Sequence, residues 1–295
     1  MRVLVIKLGA LGDFVLAFGP FAAIRAHHRA DHVTLLTTAP FAGLARQSPW
    51  FDEVVVDARP AWWDLGGLRR LRGALQGFDF VYDLQTSGRS SRYHRLAGNP
   101  PWSGIAPGAS HKHSNPGRNH MHTVERQRDQ LEAAGIACFP APDLAWLTEA
   151  GPRLPAPYAV LAPGSAPHRP EKRWPAERFG ALARLLQDRG ILPVVVGAAA
   201  DAALAAAIQA ACPDALDLTG RTSLLDLGGL AARAALAVGN DTGPMHLAAA
   251  VACPCIVLFS GASDPALTAP RGRVSVIREQ NLADLPVERV AAAIP

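Results

Sequence analysis

The run RVLVIKL at residues 2–8 puts apolar, mostly β-branched side chains on consecutive positions rather than alternate ones. A strand built this way has no face to give to water and must be covered on both sides. HVTLLTT (32–38), EVVVD (53–57) and FDFVYDL (78–84) share that character. Helical stretches separate them, one from about Asp13 to His28 and others near 40–47 and 64–76. Buried strands that alternate with helices make a parallel sheet with helices on both faces, so the fold class expected is α/β.

The middle of the chain breaks this rhythm. NPPWSGIAPGASHKHSNPGRNHM (99–121) is dense in Pro, Gly, Ser and Asn and reads as a long loop or flap. A helix over about 121–135 closes the first half. FPAPDLAWLTEAGPRLPAP (139–157) then carries five prolines without periodicity, the pattern of an interdomain linker. Beyond it the alternation restarts, with strands at 158–163, 191–197, 215–220, 236–240 and 254–260 and helices near 175–189, 200–212, 224–234 and 243–252. The domains expected are therefore 1–138 and 158–295, joined by a linker at 139–157. Two such halves imply a cleft at the strands' carboxyl ends, where open α/β sheets bind ligands.

Length and composition agree with this plan. A chain of 295 residues with 49% hydrophobic and 18% charged residues has material for two cores. Its net charge of +4 is small and no Lys/Arg-rich tail is present, so no nucleic-acid partner is expected. The charge is uneven, however. Between Leu84 and Val124 there is no Asp or Glu, while Arg89, Arg92, Arg95, Lys112 and Arg118 all occur there, which suggests an anionic partner on one face. Cys138, Cys212, Cys253 and Cys255 show neither zinc spacing nor a CxxC pair and read as buried free thiols of a reducing cytoplasm. The apolar first residues are interrupted by Lys7 and Asp13 and lack a cleavage site or a membrane-spanning run. A soluble protein is expected, with a visit to a membrane surface left open.

Three segments carry more polar chemistry than their local structure needs. AVGNDTGPMHLAAAVA (237–252) places Asn240, Asp241, Thr242 and two glycines between a buried strand and an alanine-rich helix, although capping needs one such residue. Free N–H groups and the positive end of a helix dipole would suit an anion there, with Pro244 in the first turn. Asp241 does not suit a bare phosphate site and instead suits capping, amide orientation or a sugar hydroxyl. In KLGALGDFVLAFGP (7–20), Gly9 and Gly12 occupy a strand-to-helix turn. The full dinucleotide fingerprint is absent, and Asp13 stands where a pyrophosphate would be repelled. As an N-cap or dipole partner Asp13 needs no further role, and as a carboxylate at a ligand site it suits a general base. APGSAPHRPEKRWPAERFGAL (162–182) follows a strand with Ser165, Arg169, Lys172 and Arg173, cations that fit a diphosphate or a solvated basic loop.

Together, LGDFVLAFGP, PGS…EKRWPAERF and GNDTGPMHLAAA resemble the signatures of the bacterial ADP-heptose:lipopolysaccharide heptosyltransferases, glycosyltransferase family 9, over essentially the whole chain. The resemblance implies a GT-B fold, two Rossmann-like domains with parallel sheets facing across a cleft. It implies an N-terminal acceptor-side domain and a C-terminal domain that binds the nucleotide-sugar donor. It also implies inverting transfer from an ADP-sugar with no required cofactor or metal. Asp13 matches the family's catalytic base, and Lys172 its diphosphate-contacting lysine, with Ser165 in the same motif. Asp241, Thr242, Gly243 and His246 match the donor-binding helix start. The family's ribose-contacting acid has Ala199 near its place here, with Asp201 just beyond.

The activity implied is heptose transfer from ADP-heptose to an anionic lipopolysaccharide-core-type glycolipid. By analogy the enzyme is cytoplasmic and peripheral on the inner face of the membrane. Arg89, Arg92 and Arg95, three residues apart, are the acceptor-binding candidates, with a solvated helix face as the alternative. Trp62, Trp63 and Trp102 read as sugar platforms, membrane-edge anchors or core residues. His111, His113, His120 and His122 sit in a Gly/Pro-rich stretch without a nearby carboxylate, a weak metal pattern beside an acceptor flap. Two other functions stay open, a GT-B nucleotide-sugar epimerase and a nucleotide-sugar-binding protein without turnover.

Overall fold

Val3, Leu4, Val5 and Ile6 have no solvent exposure, as a strand covered on both faces requires. The computed structural model describes residues 1–155, 157–166 and 168–294. Residue 156 of the expected linker, residue 167 of the basic 162–182 segment and residue 295 lie outside the described residues. The chain divides into two compact units, Met1–Asp143 and Leu144–Pro295.

The first unit runs β1 (Arg2–Ile6), α1 (Leu11–Val15), α2 (Phe18–His27), β2 (His32–Thr37), α3 (Ala39–Gln47), β3 (Glu53–Val56), α4 (Leu65–Leu75), β4 (Phe80–Asp83), α5 (Gly88–Leu96), β5 (Trp102–Gly104), β6 (His111–Lys112) and α6 (Thr123–Ala133). Its strands pair in the order β3-β2-β1-β4-β5-β6, all parallel. The second unit runs α7 (Ala145–Thr148), β7 (Tyr158–Ala162), α8 (Ala176–Asp188), β8 (Leu192–Val195), α9 (Ala202–Ala211), β9 (Leu216–Asp217), α10 (Leu224–Arg233), β10 (Leu236–Asn240), α11 (Gly243–Ala250), β11 (Cys255–Phe259), α12 (Pro265–Thr268), β12 (Val274–Arg278) and α13 (Val287–Ala291). Its sheet, β12-β11-β10-β7-β8-β9, is also all parallel and repeats the first unit's order when read from the other edge. In both units the order reverses beside the first strand, so switch points fall between β1 and β4 and between β7 and β10.

Several expectations need correction. The helix expected from Asp13 to His28 is two helices, because the chain breaks at Leu16 and Ala17. Phe14, Phe18 and Phe21 all point inward around the break, against Phe41 and Trp50. The 99–121 segment is not a flap. It contributes β5 and β6 to the sheet edge, and Trp102 within it is fully buried. Strands of three and two residues are too short to show through their Pro and Gly neighbours. Cys138 is exposed rather than buried, and all four thiols are free.

The later part of the expected linker packs within the second unit. Leu147 of α7 is buried, and a Cβ on Gly228 would lie 2.2 Å from its Cδ1. Arg233, at the end of α10, donates to the carbonyls of Thr148 at 2.8 Å, Ala150 at 2.9 Å and Pro152 at 3.0 Å. A Cβ on Gly229 would meet the Ala150 carbonyl oxygen at 1.7 Å, a backbone atom that a rotamer change cannot move. Gly229→Ala is therefore expected to push the 144–152 segment off α10 and destabilise the second unit by about 2 kcal/mol or more, read as a lowered thermal midpoint.

Candidate functional site

Each switch point carries buried polar side chains. In the second unit β10 ends on Asn240, which is fully buried at the end of an otherwise apolar strand. Its Nδ2 donates to the Pro163 carbonyl at 2.7 Å, and its Oδ1 accepts the Trp174 N–H at 2.9 Å. One amide thus fixes the loop after β7 and the start of α8 to the end of β10. Trp174 is itself buried, packs edge-on against Phe179, and donates from its indole nitrogen to the Leu285 carbonyl. The Trp-Pro pair of the EKRWPAERF motif is an anchor, and the residues just before it are the ones it positions.

Lys172, at the end of a single 3-10 turn (Pro170–Lys172), places its Nζ 2.6 Å from Asp241 Oδ2. Beside it Ser165 accepts from Arg173 Nε at 3.0 Å and donates to the Arg169 carbonyl at 3.0 Å. Arg169 pairs with Glu171 and donates to the Ala262 carbonyl at 2.9 Å. The fold therefore brings Ser165, Lys172 and Asp241 into one connected cluster. Thr242 is the N-cap of α11 with extended backbone, yet its side chain makes no capping bond, and Gly243 and Pro244 form the first turn. None of Asn240, Asp241 and Thr242 acts as a side-chain cap, which answers why one cap residue was not enough. His246 is buried on α11. Gly239 is required by packing, since a Cβ there would lie 2.7 Å from Met245 Sδ and 2.8 Å from Ala162 Cβ.

Asp201 follows β8 in a 3-10 turn (Ala199–Asp201), and its Oδ2 accepts the Ala198 N–H at 2.9 Å. A Cβ added to Gly164 would lie 2.7 Å from that oxygen, and one added to Gly197 2.8 Å. The carboxylate consequently rests on the glycine backbone at the carboxyl ends of β7 and β8. Although displaced from the position of Ala199, it supplies an acid at the same strand end.

In the first unit Asp13 lies in the first turn of the five-residue α1, half-buried. Ala10 is the N-cap, so Asp13 is not a capping residue. Gly9, before it, has φ +122° and could carry no side chain, because a Cβ would meet Phe41 at 2.6 Å. The adjoining switch point holds two groups that sequence reasoning passed over, Lys7 and Asp83, both buried. Lys7 Nζ donates to the Leu84 carbonyl at 3.1 Å, and the Leu8 N–H to Gln85 Oε1 at 2.8 Å, which ties the ends of β1 and β4 together. Burial lowers Lys7 to about 8 against the raising influence of Asp13 and Asp83. Burial raises Asp83 to about 6, opposed by the N–H groups of Thr86 and Gln85, the Ser90 hydroxyl and Lys7. The sequence signal was a lysine and an acid that each end an apolar strand run.

The three acceptor-candidate arginines do not act alike. Arg89 is held by Tyr93 Oη at 2.6 Å and the Pro60 carbonyl at 2.7 Å, with its guanidinium 5.0 Å from the Trp62 ring centroid. Arg92 stacks on the same ring at 5.0 Å, while Arg95 is exposed and rotated about 120° round the helix from Arg89. Trp102 is core, Trp62 is half-buried under two guanidiniums, and Trp63 is exposed. The fold brings to His113 the carboxylate absent from its local sequence, with Nε2 2.6 Å from Asp129 Oδ2. His122 is the N-cap of α6, and its Nδ1 accepts the Val124 N–H. Among the described residues no group of three or more His, Cys, Asp or Glu is placed to hold a metal ion.

The sequence profile of glycosyltransferase family 9 (heptosyltransferase) matches residues 68–289, three quarters of the chain. The chain belongs to glycosyltransferase family 9. Lipopolysaccharide heptosyltransferase 1 of Pseudomonas aeruginosa is 29% identical over 302 residues, covering 94% of this family 9 chain and 83% of that protein. Lipooligosaccharide heptosyltransferase 2 of Haemophilus influenzae is 35% identical over 128 residues, a stretch that spans 41% of this chain and 36% of the relative. The solved Escherichia coli heptosyltransferase WaaC with ADP superposes with a TM-score of 0.83 at 24% identity, over 99% of this chain and 98% of that one. The two parallel sheets of this family 9 member are those of a GT-B fold.

The buried pair at the first switch point has a measurable signature. Folded Asp83 keeps its proton to about pH 6, whereas the unfolded chain loses it near the ordinary aspartate value. Its contribution to stability is thus complete below about pH 4 and is lost as pH rises through 6. Lys7 runs the other way, its contribution being complete above about pH 10.5 and lost as pH falls through about 8. Asp83→Asn removes the first titration. The difference in thermal midpoint, variant minus wild type, is expected to climb between pH 4 and 6.5, by at most about 3 kcal/mol in stability terms. A flat difference would mean that Asp83 ionises like an exposed carboxylate.

Proposed function

We propose that this chain transfers a heptose from ADP-heptose to a hydroxyl of an anionic lipopolysaccharide-core-type acceptor with inversion. Family membership and the named activities of its relatives support the reaction class. The observation that carries the site assignment is the Lys172–Asp241 pair at the uncapped start of α11. A carboxylate beside a diphosphate site would repel it, and pairing with Lys172 removes that objection. The diphosphate then meets Lys172, Arg173 and Ser165 together with the α11 first turn at Thr242 and Gly243 and its buried His246. Asp201, resting on the Gly164 and Gly197 backbone, is the acid assigned to the donor's ribose hydroxyls.

In the reaction the acceptor oxygen forms a bond to the anomeric carbon while the bond from that carbon to the β-phosphate oxygen breaks. The electron pair leaves with ADP, and the acceptor proton passes to the Asp13 carboxylate. Attack opposite the leaving group inverts the anomeric centre. Departing charge is met by the Lys172 ammonium and N–H donors, and no step calls on a metal or cofactor. Arg92 and Arg95 offer exposed charge to the acceptor, and Arg89 supports them by fixing Trp62. Such an acceptor is membrane-embedded, so the reading places the enzyme in the cytoplasm, peripheral on the inner face of the membrane. No helix among the described residues is long and apolar enough to cross a membrane.

Calorimetric titration with ADP, UDP and GDP, with and without magnesium, tests this reading. ADP is expected to bind without metal, about ten- to a hundredfold more weakly in Lys172→Ala. Asp13→Ala is expected to keep ADP affinity while turnover falls about 10²- to 10⁴-fold. Preference for UDP would move the donor to another sugar nucleotide, and an Asp13→Ala protein with undiminished turnover would remove the base assignment.

A further inference from the structure

Among the described residues Trp63 and Leu65 are the most exposed large apolar side chains, at 86% and 79%. They flank Asp64, the N-cap of α4, whose side chain accepts the Gly67 N–H at 2.8 Å. Exposed apolar residues are ordinary when scattered, but these two are neither scattered nor loosely held. Tyr93 Oη donates to Asp57 Oδ2 at 2.6 Å, Arg89 holds the Pro60 carbonyl, and Trp62 is pinned beneath Arg89 and Arg92. The 57–64 loop is thereby locked onto α5 while the next indole is left in solvent.

The surroundings are basic. From Ala58 to Gly77 there are four arginines, Arg59, Arg69, Arg70 and Arg72, and one acid, the capping Asp64. All four arginines are exposed. Helix α4 buries Gly67, Leu71 and Leu75, which turns Leu65, Arg69 and Arg72, at i, i+4 and i+7, onto one outward stripe. An indole and a leucine at the leading end of a helix, with guanidiniums along the same face, combine what the two layers of a lipid interface select. The indole and the leucine suit the headgroup boundary, and the cations suit lipid phosphates. A protein partner would find little else here, since no other large apolar side chain from Ala58 to Gly77 is exposed to that degree.

We propose that the Trp63–Leu65 tip and the Arg69–Arg72 stripe of α4 form a docking surface for an anionic phospholipid bilayer. This deepens the reading above, in which the acceptor is membrane-embedded, by assigning the surface that reaches the membrane. Because the loop is already fixed, insertion orders no backbone, and the surface is formed before lipid is met.

The test is flotation of the full chain with phosphatidylcholine vesicles and with vesicles in which about a third of the lipid is phosphatidylglycerol. The vesicles contain no glycolipid acceptor, and ADP titration of the same samples reports the donor site separately. Flotation can therefore fail while the transferase reading stands, and the reverse. Wild type is expected to float with the anionic vesicles and to be released by salt. Trp63→Ser/Leu65→Ser and Arg69→Glu/Arg72→Glu should each weaken partitioning at least about tenfold with ADP affinity and melting temperature unchanged. Leu185→Ser, at an exposed apolar site of the second unit, should float like wild type. Trp63→Phe should lose the blue shift in indole emission that wild type shows on binding. Three results would overturn the proposal: no flotation of wild type, undiminished flotation of the serine pair, or equal flotation with neutral vesicles.

Discussion

The second unit depends on a single buried carboxamide. Strands β7 and β10 are neighbours, but the chain leaves them in opposite directions along the sheet, which opens a gap at their carboxyl ends where backbone groups lose partners. Asn240 closes that gap from within. Its amide donates to one strand's exit loop and accepts from the N–H that leads into α8. An aspartate could not supply the donor, and an apolar residue would leave a carbonyl and an N–H unsatisfied in the core. Lys172, Arg173 and Ser165 all lie within the loop that Asn240 tethers, so the cations inherit their placement from a residue that need not touch a ligand itself.

The first unit solves the same problem with charge. Its fourth strand also ends on a fully buried polar residue, Asp83, and the matching end of its first strand leads into Lys7. Here the side-chain carboxylate takes the N–H groups of Gln85 and Thr86, and the ammonium takes the Leu84 carbonyl. Two units with one strand order therefore close equivalent gaps with different chemistry, a neutral amide in one and an opposed pair of titratable groups in the other. The difference reaches the turn that carries Asp13, whose charge is among those that oppose the lowering of the Lys7 ammonium by burial.

How much of this was legible in the sequence follows from how far each signal reaches along the chain. Strands apolar on consecutive positions announce their own burial, so β1, β2, β7, β10 and β11 stood out and the parallel architecture with them. The short edge strands β5 and β6 did not, since two or three residues carry no period and their Pro and Gly neighbours signal turns. The 162–182 and 237–252 motifs were readable because Lys172 and Asp241 belong to locally unusual stretches. Their mutual contact was not, for 69 positions separate them, and the pairing of β7 with β10 together with the tether at Asn240 brings them together. Asp83 and Lys7 were missed for a simpler reason. One charge at the end of an apolar run looks like the edge of a strand until the topology shows that both ends meet inside.

Arg89 shows why equal spacing does not make equal roles. Three arginines at intervals of three along α5 look like one binding stripe, yet each step of three turns the side chain by about 60° relative to the last. Arg89 turns toward Tyr93, Pro60 and Trp62 and becomes part of the scaffold, and Arg92 lies over the outer ring of that same stack. Arg95 has rotated clear of it into solvent. A guanidinium that satisfies two oxygens and covers an indole is too committed to be withdrawn for a passing anion without unlocking the 57–64 loop. On this face Arg92 and Arg95 remain the exposed guanidiniums, and the contribution of Arg89 is to keep the loop, and the exposed indole next to it, where they are.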